Sequence, residues 1–228
     1  MDSLLNFSIL TQEDIFFMLR AVRMSLGIAA VCLVAGTILG TIGAAGKLSK
    51  NKLLNAIATV YVEVFRGTPM MMQITFAFLA LPGVIRVITG NPIRFDPVIT
   101  GAVAISLNSG AYSSELIRSG ILGVDKGQWE AADALGMSYK QKMFKIILPQ
   151  AFKRIVPPLV SEFITLIKDT SLLSSIGVVE LMKSATTVGA NYYNYLVPLT
   201  VASGIYLVLT VTISFFARKL ERRLAESD

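Results

Sequence analysis

The sequence predicts an all-α membrane protein, a single bundle of five membrane-spanning helices. Of its 228 residues, 54% are hydrophobic and only 16% are charged, and the mean hydropathy is +0.64, which is more apolar than an ordinary soluble domain. Uncharged runs at residues 24–46, 97–114 and 196–217 match the length of about 20 apolar residues that a spanning helix needs. No repeat or low-complexity linker divides the chain, so we expect one domain over residues 1–228, with its core at about 15–225.

The first span is predicted at residues 24–46, a run of 23 residues without a charge. Small residues allow two helix backbones to approach closely, and this run is rich in them, among others Gly27, Ala30, Gly36, Gly40 and Gly43. Residues 1–14 include Asp2, Glu13 and Asp14 and lack a basic stretch. We therefore expect the first span to be retained and not cleaved as a signal peptide.

The second span is predicted to begin near residue 52 and to break at Gly67-Thr68-Pro69. Proline lacks a backbone N–H, so a helix kinks or ends at this position. A broken helix at membrane depth leaves backbone polar groups free, which is tolerated where they line a cavity. Thr68 and the flexible Met71 are therefore predicted to line a transport path, and a simple packing kink is the alternative.

The third span is predicted at residues 97–114. Asn108, Tyr112 and Glu115 are spaced i, i+4 and i+7, so they share one helix face. We expect Asn108, Ser109 and Tyr112 to line the same path, with ordinary packing as the alternative for Asn108 and Ser109. Glu115 lies near the end of the span and is expected to form a structural ion pair with Arg118 or Arg66.

The fourth span, near residues 155–172, carries charged groups. Glu162, Thr165 and Asp169 follow one another at i, i+3 and i+7 and therefore share a face. A carboxylate in the middle of a bilayer costs on the order of 3 kcal/mol, so it should face the bundle interior or a water-filled cavity. Glu162 and Thr165 are accordingly predicted to lie on the path, where Glu162 would attract a cationic group. The alternative is a structural role, in which Glu162 pairs with Lys168 or with a hydrogen-bond donor on another helix.

Prolines 149, 157 and 158 are predicted to mark the start of this fourth span. Residues 173–194 follow it and have the mixed polarity of a broken or partly inserted segment. The run at 196–217 is predicted to be the fifth and last span.

A polar, basic loop at about residues 118–154 separates the third and fourth spans. It contains the pattern E-A-A-x3-G-x9-I-x-L-P and predicts a short helix at 128–135 and a second helix from Tyr139. The glycine permits the left-handed turn that commonly ends a helix. An ordered polar loop between spans favours a docking surface for a soluble partner over an ordinary amphipathic surface helix; we assign that surface to Glu130, Ala131, Ala132, Gly136, Ile146, Leu148 and Pro149.

The positive charges indicate the orientation. The loops at 47–52 and 118–154 and the C-terminal segment together hold fourteen Lys and Arg residues, against five on the opposite side. The side richer in Lys and Arg is expected to be cytoplasmic. With five spans, this predicts a multi-pass protein with its long polar loop and C-terminus in the cytoplasm and its N-terminus outside.

Several function classes are disfavoured by composition. The chain has a single cysteine, Cys32, and no histidine, so neither a transition-metal site nor a histidine-dependent catalytic triad is expected. No G-x4-G-K-[ST] sequence is present, so the chain is not predicted to hydrolyse ATP or to be an enzyme. The net charge of +6 is divided among three loops, which argues against nucleic-acid binding.

Four stretches in order carry a family pattern: 63–69, 109–121, 130–149 and 168–172. They read E-V-F-R-G-T-P, S-G-A-Y-x2-E-x2-R-x-G-I, the E-A-A pattern given above, and K-D-T-S-L. On these residues the chain resembles the permease subunits of bacterial ABC importers for polar amino acids, of the histidine, arginine and glutamine type. The E-A-A pattern is similar to the loop, with its coupling helix, by which such permeases grip their ATPase.

The resemblance implies a type I importer fold and a set of partners. These would be a dimer of ATP-binding subunits, a second permease subunit that is identical or a paralogue, an extracytoplasmic amino-acid-binding protein, and the lipid of the bacterial inner membrane. ATP and magnesium would belong to the ATP-binding subunits, with no cofactor and no metal in this chain. The implied function is the inward movement of polar amino acids by alternating access, and Glu162 favours basic ones.

An ion-coupled secondary transporter of polar solutes is the alternative function. Glu162 and Glu115 could bind protons or sodium in such a protein, and the broken helix is typical of these folds.

Overall fold

The structure, a computed structural model, describes residues 7–225 and is helical throughout, with no strand among those residues. Two π-helical turns, Phe76–Ala80 and Met143–Ile147, and two 3-10 helices, Phe7–Ile9 and Thr170–Ile176, interrupt or flank the α-helices. The α-helices in chain order are α1 (Gln12–Lys47), α2 (Lys52–Gly67), α3 (Met70–Thr75), α4 (Leu81–Thr89), α5 (Pro97–Leu122), α6 (Lys126–Ala134), α7 (Tyr139–Lys142), α8 (Leu148–Asp169), α9 (Leu181–Asn191) and α10 (Leu196–Ala225).

Three helical stretches in the described part of the chain are long and apolar enough to cross a membrane: Gln12–Lys47, Met70–Thr89 and Leu196–Lys219. Helices α5 and α8 have 26 and 22 residues, about 39 and 33 Å at 1.5 Å per residue, which is also enough to cross a core of about 30 Å. Both are more polar because they lie inside the bundle: α5 packs against α1, α2, α3 and α8. The helical fold is as predicted, and the count of five spans stays a prediction.

Helix α1 packs along α5 through small residues on both sides. A Cβ added at Gly36 would meet Ser109 Oγ at 2.7 Å, and one added at Gly40 would meet the Cβ of Ser113. Side chains larger than hydrogen would therefore force the two helices apart. The predicted close contact of the first span is present, and it fixes the position of the buried face of α5.

The helix break predicted at Gly67-Thr68-Pro69 is present, since α2 ends at Gly67 and α3 begins at Met70. Each π-helical turn is followed directly by a Leu-Pro pair, Leu81-Pro82 in one case and Leu148-Pro149 in the other. A proline ring clashes with the carbonyl four residues earlier, and a widened π turn accommodates it.

Three predicted boundaries were wrong. Helix α1 begins twelve residues before position 24, because Thr11 caps it through a capping box with Asp14 and its charged first turns remain exposed. The fourth span begins before Pro157 and Pro158, which lie inside α8. It ends at Asp169 instead of 172, because the next residues tighten into the 3-10 helix.

The segment after α8 is broken, as its mixed polarity indicated. Gly177 adopts a left-handed φ of 90° and ends the 3-10 helix, and the short α9 follows. Its N-cap is Glu180, which is fully buried and accepts hydrogen bonds from the backbone N–H groups of Met182 and Lys183 and from the Tyr206 hydroxyl. This carboxylate therefore ties α9 to α10.

Candidate functional site

A polar cavity lies between the α2–α3 break, the middle of α5 and the second half of α8. Its volume beside the break is about 510 Å³, and a further recess of about 400 Å³ extends toward Glu115. The two parts share four lining residues, Arg66, Tyr112, Glu162 and Thr165. This size is within the range of roughly 300–1,000 Å³ usual for small-molecule sites.

Glu162 lies on the α8 wall of this cavity and is held by α5. Ser109 is buried and donates a hydrogen bond of 2.9 Å to Glu162 Oε1. Gly36 of α1 has no side chain, and the space this leaves is occupied by Ser109. Within residues 7–225, Glu162 forms no ion pair with Lys168. The bond from Ser109 is the contact with a donor on another helix that the structural alternative predicted, and Glu162 also lines the cavity.

The broken end of α2 is closed by a network of side-chain amides. Gln73 donates to the Thr68 hydroxyl at 2.7 Å and to the Phe65 carbonyl at 2.9 Å. Asn108 is buried and donates to the same carbonyl and to Gln73 Oε1, both at 3.0 Å. Backbone groups freed by the break are therefore satisfied by the protein itself. Asn108 borders the cavity, and its two amide hydrogens are both used in holding the break.

Arg66, at the last turn of α2, lines both parts of the cavity. Its guanidinium carbon lies 5.3 Å from the centre of the Tyr112 ring, a cation–π distance. Glu115, which could have neutralised it, binds Arg118 at 2.8 Å and also Lys47. The predicted pairing of Glu115 with Arg118 is present, Lys47 joins it unexpectedly, and Arg66 takes no part.

Five of the seven residues predicted on the path line this cavity: Glu162, Thr165, Asn108, Tyr112 and Thr68. Ser109 stands behind Glu162, and Met71 is half-exposed outside the cavity, where Met70 takes its place. Sequence reasoning missed Arg66 and Asp169 as lining residues. The signals were present: Arg66 immediately precedes the break, and Asp169 shares the face of Glu162.

The long polar loop folds as a compact unit. Asp125 caps α6, and Gly136 ends it with a φ of 69°. The N–H of Gly136 donates to the Asp133 carbonyl at 2.9 Å and the N–H of Met137 to the Ala132 carbonyl at 3.1 Å. This is the Schellman arrangement, which glycine accommodates without strain. The predicted left-handed turn is therefore present.

Side chains clamp this loop to itself and to α8. Lys142 is buried, binds Asp133 and lies 5.5 Å from the centre of the Trp129 ring. Gln150 donates to Gln128 Oε1 at 3.1 Å. These contacts join α6, α7 and the start of α8, and they give the loop a fixed shape.

The seven residues assigned to docking divide into two groups. Glu130, Ala131, Gly136 and Pro149 are exposed, whereas Ala132 is buried and Ile146 and Leu148 pack partly inside the apolar cluster at this end of the bundle. Glu130 neither caps α6 nor pairs with a basic group among the described residues, because Asp125 is the cap. Three large apolar side chains that sequence reasoning did not select are exposed on the loop, Leu135 at 79%, Tyr139 at 64% and Phe144 at 63%.

The chain belongs to the family described as the inner membrane component of binding-protein-dependent transport systems, which it matches over residues 36–226. Membership in this family makes it a membrane-embedded permease component. The resemblance that the sequence indicated is confirmed.

Individual relatives indicate which kind of permease this chain is similar to. The chain is 41% identical to the arginine transport system permease protein ArtQ of Bacillus subtilis, over 96% of this chain and 97% of that protein. It is 36% identical to the glutamine transport system permease protein GlnP of Escherichia coli, covering 91% and 92% of the two chains. A chain in the crystal structure of an amino acid ABC transporter with histidines matches with a TM-score of 0.85 and 33% identity, covering 91% of this chain and 94% of that one. Nothing in these relatives supports the secondary transporter.

Proposed function

We propose that this protein is the permease subunit of an ATP-driven importer for polar amino acids and that its cavity favours basic ones. Family membership and the named amino acid permeases support the class of function. Relatives for arginine and for glutamine are both present at similar identity, so the preference for basic substrates rests on the cavity of this chain.

The observation that carries this preference is the pair of carboxylates on α8. Glu162 and Asp169 line the same cavity, and no described lysine or arginine lies within ion-pair distance of either. Two partly buried carboxylates thus share the cavity with one cationic residue, Arg66, so negative charge is in excess and a cationic ligand gains by entering. The α-ammonium group of an amino acid supplies one positive charge for these carboxylates, and a basic side chain supplies a second.

The energy source and the partners follow from the family. A dimer of ATP-binding subunits, which would hold ATP and magnesium, is proposed to dock against the loop formed by α6 and α7. A second permease subunit, identical or a paralogue, would complete the path, and an extracytoplasmic binding protein would deliver the amino acid. In this arrangement the loop and the C-terminus are cytoplasmic and the N-terminus lies outside the bacterial inner membrane, which agrees with the distribution of Lys and Arg.

The test is amino-acid uptake into proteoliposomes that contain this chain with its ATP-binding subunit and binding protein. The panel is arginine, lysine, histidine, glutamine and glutamate, with and without ATP. We expect ATP-dependent uptake of the cationic members, and we expect Glu162→Gln to reduce it by about 10- to 100-fold, the range for one hydrogen bond to a charged group.

Glu63→Gln is the matched control, because Glu63 is exposed on α2 and does not line the cavity. Uptake of glutamine that is indifferent to Glu162→Gln would retain the permease and reject the basic preference. Uptake by this chain without ATP or an ATP-binding subunit would reject the importer.

A further inference from the structure

An open apolar groove of about 800 Å³ lies between α1 and α5. Its lining is apolar except for Arg23 and Ser106. Along α1 the groove extends from Arg23 to Leu39, a separation of sixteen residues or about 24 Å. One leaflet contributes about half of a hydrocarbon core that is about 30 Å thick. The groove is therefore long enough to hold an acyl chain over the full depth of one leaflet.

The protein leaves this groove unfilled. A Cβ added at Gly27 would meet nothing within 4 Å, although Gly27 lies on the lining only one turn from Arg23. Val31 and Ile38 continue the same wall and are exposed at 61% and 58%. The missing side chain at Gly27 thus keeps the groove open next to its charged end.

Helix α5 forms a ridge along the other side of the groove. Ile99, Val103 and Leu107 follow one another at intervals of four residues and line this groove. The same three residues also line a second apolar groove, of about 640 Å³, that lies toward α2 and α4. Two grooves on either side of one ridge match the two acyl chains of a single phospholipid.

The ridge faces away from the substrate cavity. Nine residues, or two and a half helical turns, separate Ile99 from Asn108 and Val103 from Tyr112. Asn108 and Tyr112 line the cavity, so the ridge lies on the opposite face of α5. A second permease subunit that completes the path at the cavity would therefore leave the ridge to the membrane.

Arg23 supplies a positive charge where the groove meets the membrane boundary. It directly precedes the uncharged run 24–46, so it lies where the hydrocarbon core begins. Among residues 7–225 it forms no ion pair. Two carboxylates of the same end of the bundle have structural roles, since Asp96 caps α5 and Asp14 belongs to the capping box of α1. The guanidinium of Arg23 is therefore available to a phosphate group.

From the groove and its unpaired arginine we infer that this face of the permease binds one anionic phospholipid, with its phosphate on Arg23 and an acyl chain along Gly27 and Val31. Apolar side chains alone would contact any lipid equally. The arginine adds a preference for a headgroup with net negative charge, because such lipids attract basic residues at the membrane surface. This lipid site is separate from the proposed transport function, and neither depends on the other.

The test is photolabelling of the permease–ATPase complex in phosphatidylcholine vesicles. Two trace lipids are compared, phosphatidylglycerol and phosphatidylcholine, each with a diazirine in one acyl chain, and the labelled residues are located by mass spectrometry. The summed labelling of residues outside the two grooves serves as the reference for unselective contact. Relative to that reference, we expect phosphatidylglycerol to label the groove about fivefold more than phosphatidylcholine does, the contribution of about one arginine at a membrane surface.

Variants separate the headgroup contact from the acyl-chain contact. Arg23→Gln should remove the preference for phosphatidylglycerol, and Arg23→Lys should retain most of it. Gly27→Phe should fill the groove and reduce its labelling by both lipids several-fold. The matched controls are Arg86→Gln and Ala30→Phe, because Arg86 on α4 and Ala30 on α1 are exposed and line neither groove.

Three results would overturn the lipid site. The first is equal labelling of the wild-type groove by the two lipids, and the second is an undiminished preference for phosphatidylglycerol in Arg23→Gln. The third is a groove that neither lipid labels while other helices are labelled, as expected if a helix of the second permease subunit fills it. Each of these results would leave the proposed amino-acid uptake unaffected.

Discussion

The cavity and the polar loop at residues 118–154 use their polar side chains in opposite ways. In the loop, polar groups meet each other: Lys142 binds Asp133, and Gln150 binds Gln128. In the cavity, charged groups face an open space, and Glu162 has a single protein donor, Ser109. The loop thereby presents a fixed surface on which Leu135, Tyr139 and Phe144 are exposed among charged residues, whereas the charged groups of the cavity face open space.

This difference fits the two roles proposed above, docking of the ATP-binding subunits against the loop and binding of the substrate in the cavity. A surface that transmits movement needs a fixed shape, which internal ion pairs and caps provide. A site that holds and then releases a small polar molecule needs charges that the protein has placed without neutralising. Charged and amide side chains therefore have a structural role in the loop and a proposed binding role in the cavity. The two roles are distinguished only by the groups that each side chain contacts.

The largest expected effect comes from Gly36→Ala, which attacks the support behind the cavity. The new methyl group would lie 2.7 Å from Ser109 Oγ and 2.9 Å from its Cβ, so Ser109 must shift away from Glu162. We expect a loss of about 2–3 kcal/mol in stability from overpacking, together with weaker substrate binding. Thermal unfolding of the purified complex and ligand binding measure the two effects.

Gly27→Ala is the matched control on the same helix, because a methyl group there meets nothing within 4 Å. It should stabilise α1 by up to about 1 kcal/mol through helix propensity. Equal responses of the two variants would show that the contact between α1 and α5 does not support the cavity.

Asn108→Ala should have the next largest effect, because it removes hydrogen bonds from the network at the helix break. Gln73 Oε1 loses its donor, and the Phe65 carbonyl keeps only one of two. We expect a stability loss of about 2 kcal/mol and a fall in uptake, since the broken end of α2, which carries Arg66, is no longer held by this network.

Tyr61→Phe is the control. It removes another hydrogen bond between α2 and α5, from the Tyr61 hydroxyl to the Leu107 carbonyl at 2.7 Å, and should reduce stability with little change in substrate affinity. Similar uptake defects in both variants would show that Asn108 affects uptake only through the stability of the helix packing.

Gly136→Ala tests the loop. A left-handed φ of 69° costs an alanine about 1–2 kcal/mol, so the turn after α6 should loosen. We expect ATPase stimulation by the substrate-loaded binding protein to fall while substrate binding to the cavity is unchanged.

Gly90→Ala carries the same backbone strain, with a φ of 73° at the end of α4, on a segment distant from the loop. It should reduce stability equally and leave ATPase stimulation intact. A loss of stimulation in both variants would attribute the defect to general instability.

The smallest effect is expected from Lys142→Met, which removes the ion pair with Asp133 but keeps an apolar stem beside Trp129. Because Asp133 is largely exposed, the loss in stability should be below about 1 kcal/mol. Binding of the ATP-binding subunit, measured by titration, should weaken several-fold. Lys140→Met, an exposed change two residues earlier on the same loop, is the control. Identical affinities for the two variants would show that the Lys142–Asp133 ion pair does not contribute to binding of the ATP-binding subunit.

Much of the fold could be predicted from local patterns. The break at Pro69, the turn at Gly136 and the broken segment after α8 all depend on residues a few positions apart, so composition and spacing reveal them. Helix boundaries were less predictable: α1 continues through Arg20 and Arg23 because a helix can extend beyond the apolar core, with its charged turns exposed.

The candidate site was predicted in part for a similar reason. Glu162 could be found because a carboxylate in an apolar helix is unusual in itself. Arg66 was missed although it immediately precedes the break, because several acidic residues might have paired with it. That Glu115 binds Lys47 and Arg118 instead depends on how α1 and α5 come together. Ser109 likewise became a support for Glu162 and not a lining residue, since its position is set by Gly36 on another helix.

The amino-acid sequence by itself determined the class of this protein, a helical membrane permease. It did so through hydropathy, turn residues and short motifs, which act over one or two helical turns. Only the tertiary structure decided which charges are neutralised and which face the cavity. Ion pairing depends on distances between helices that are far apart in the chain, and those distances are set by the close packing of α1 on α5.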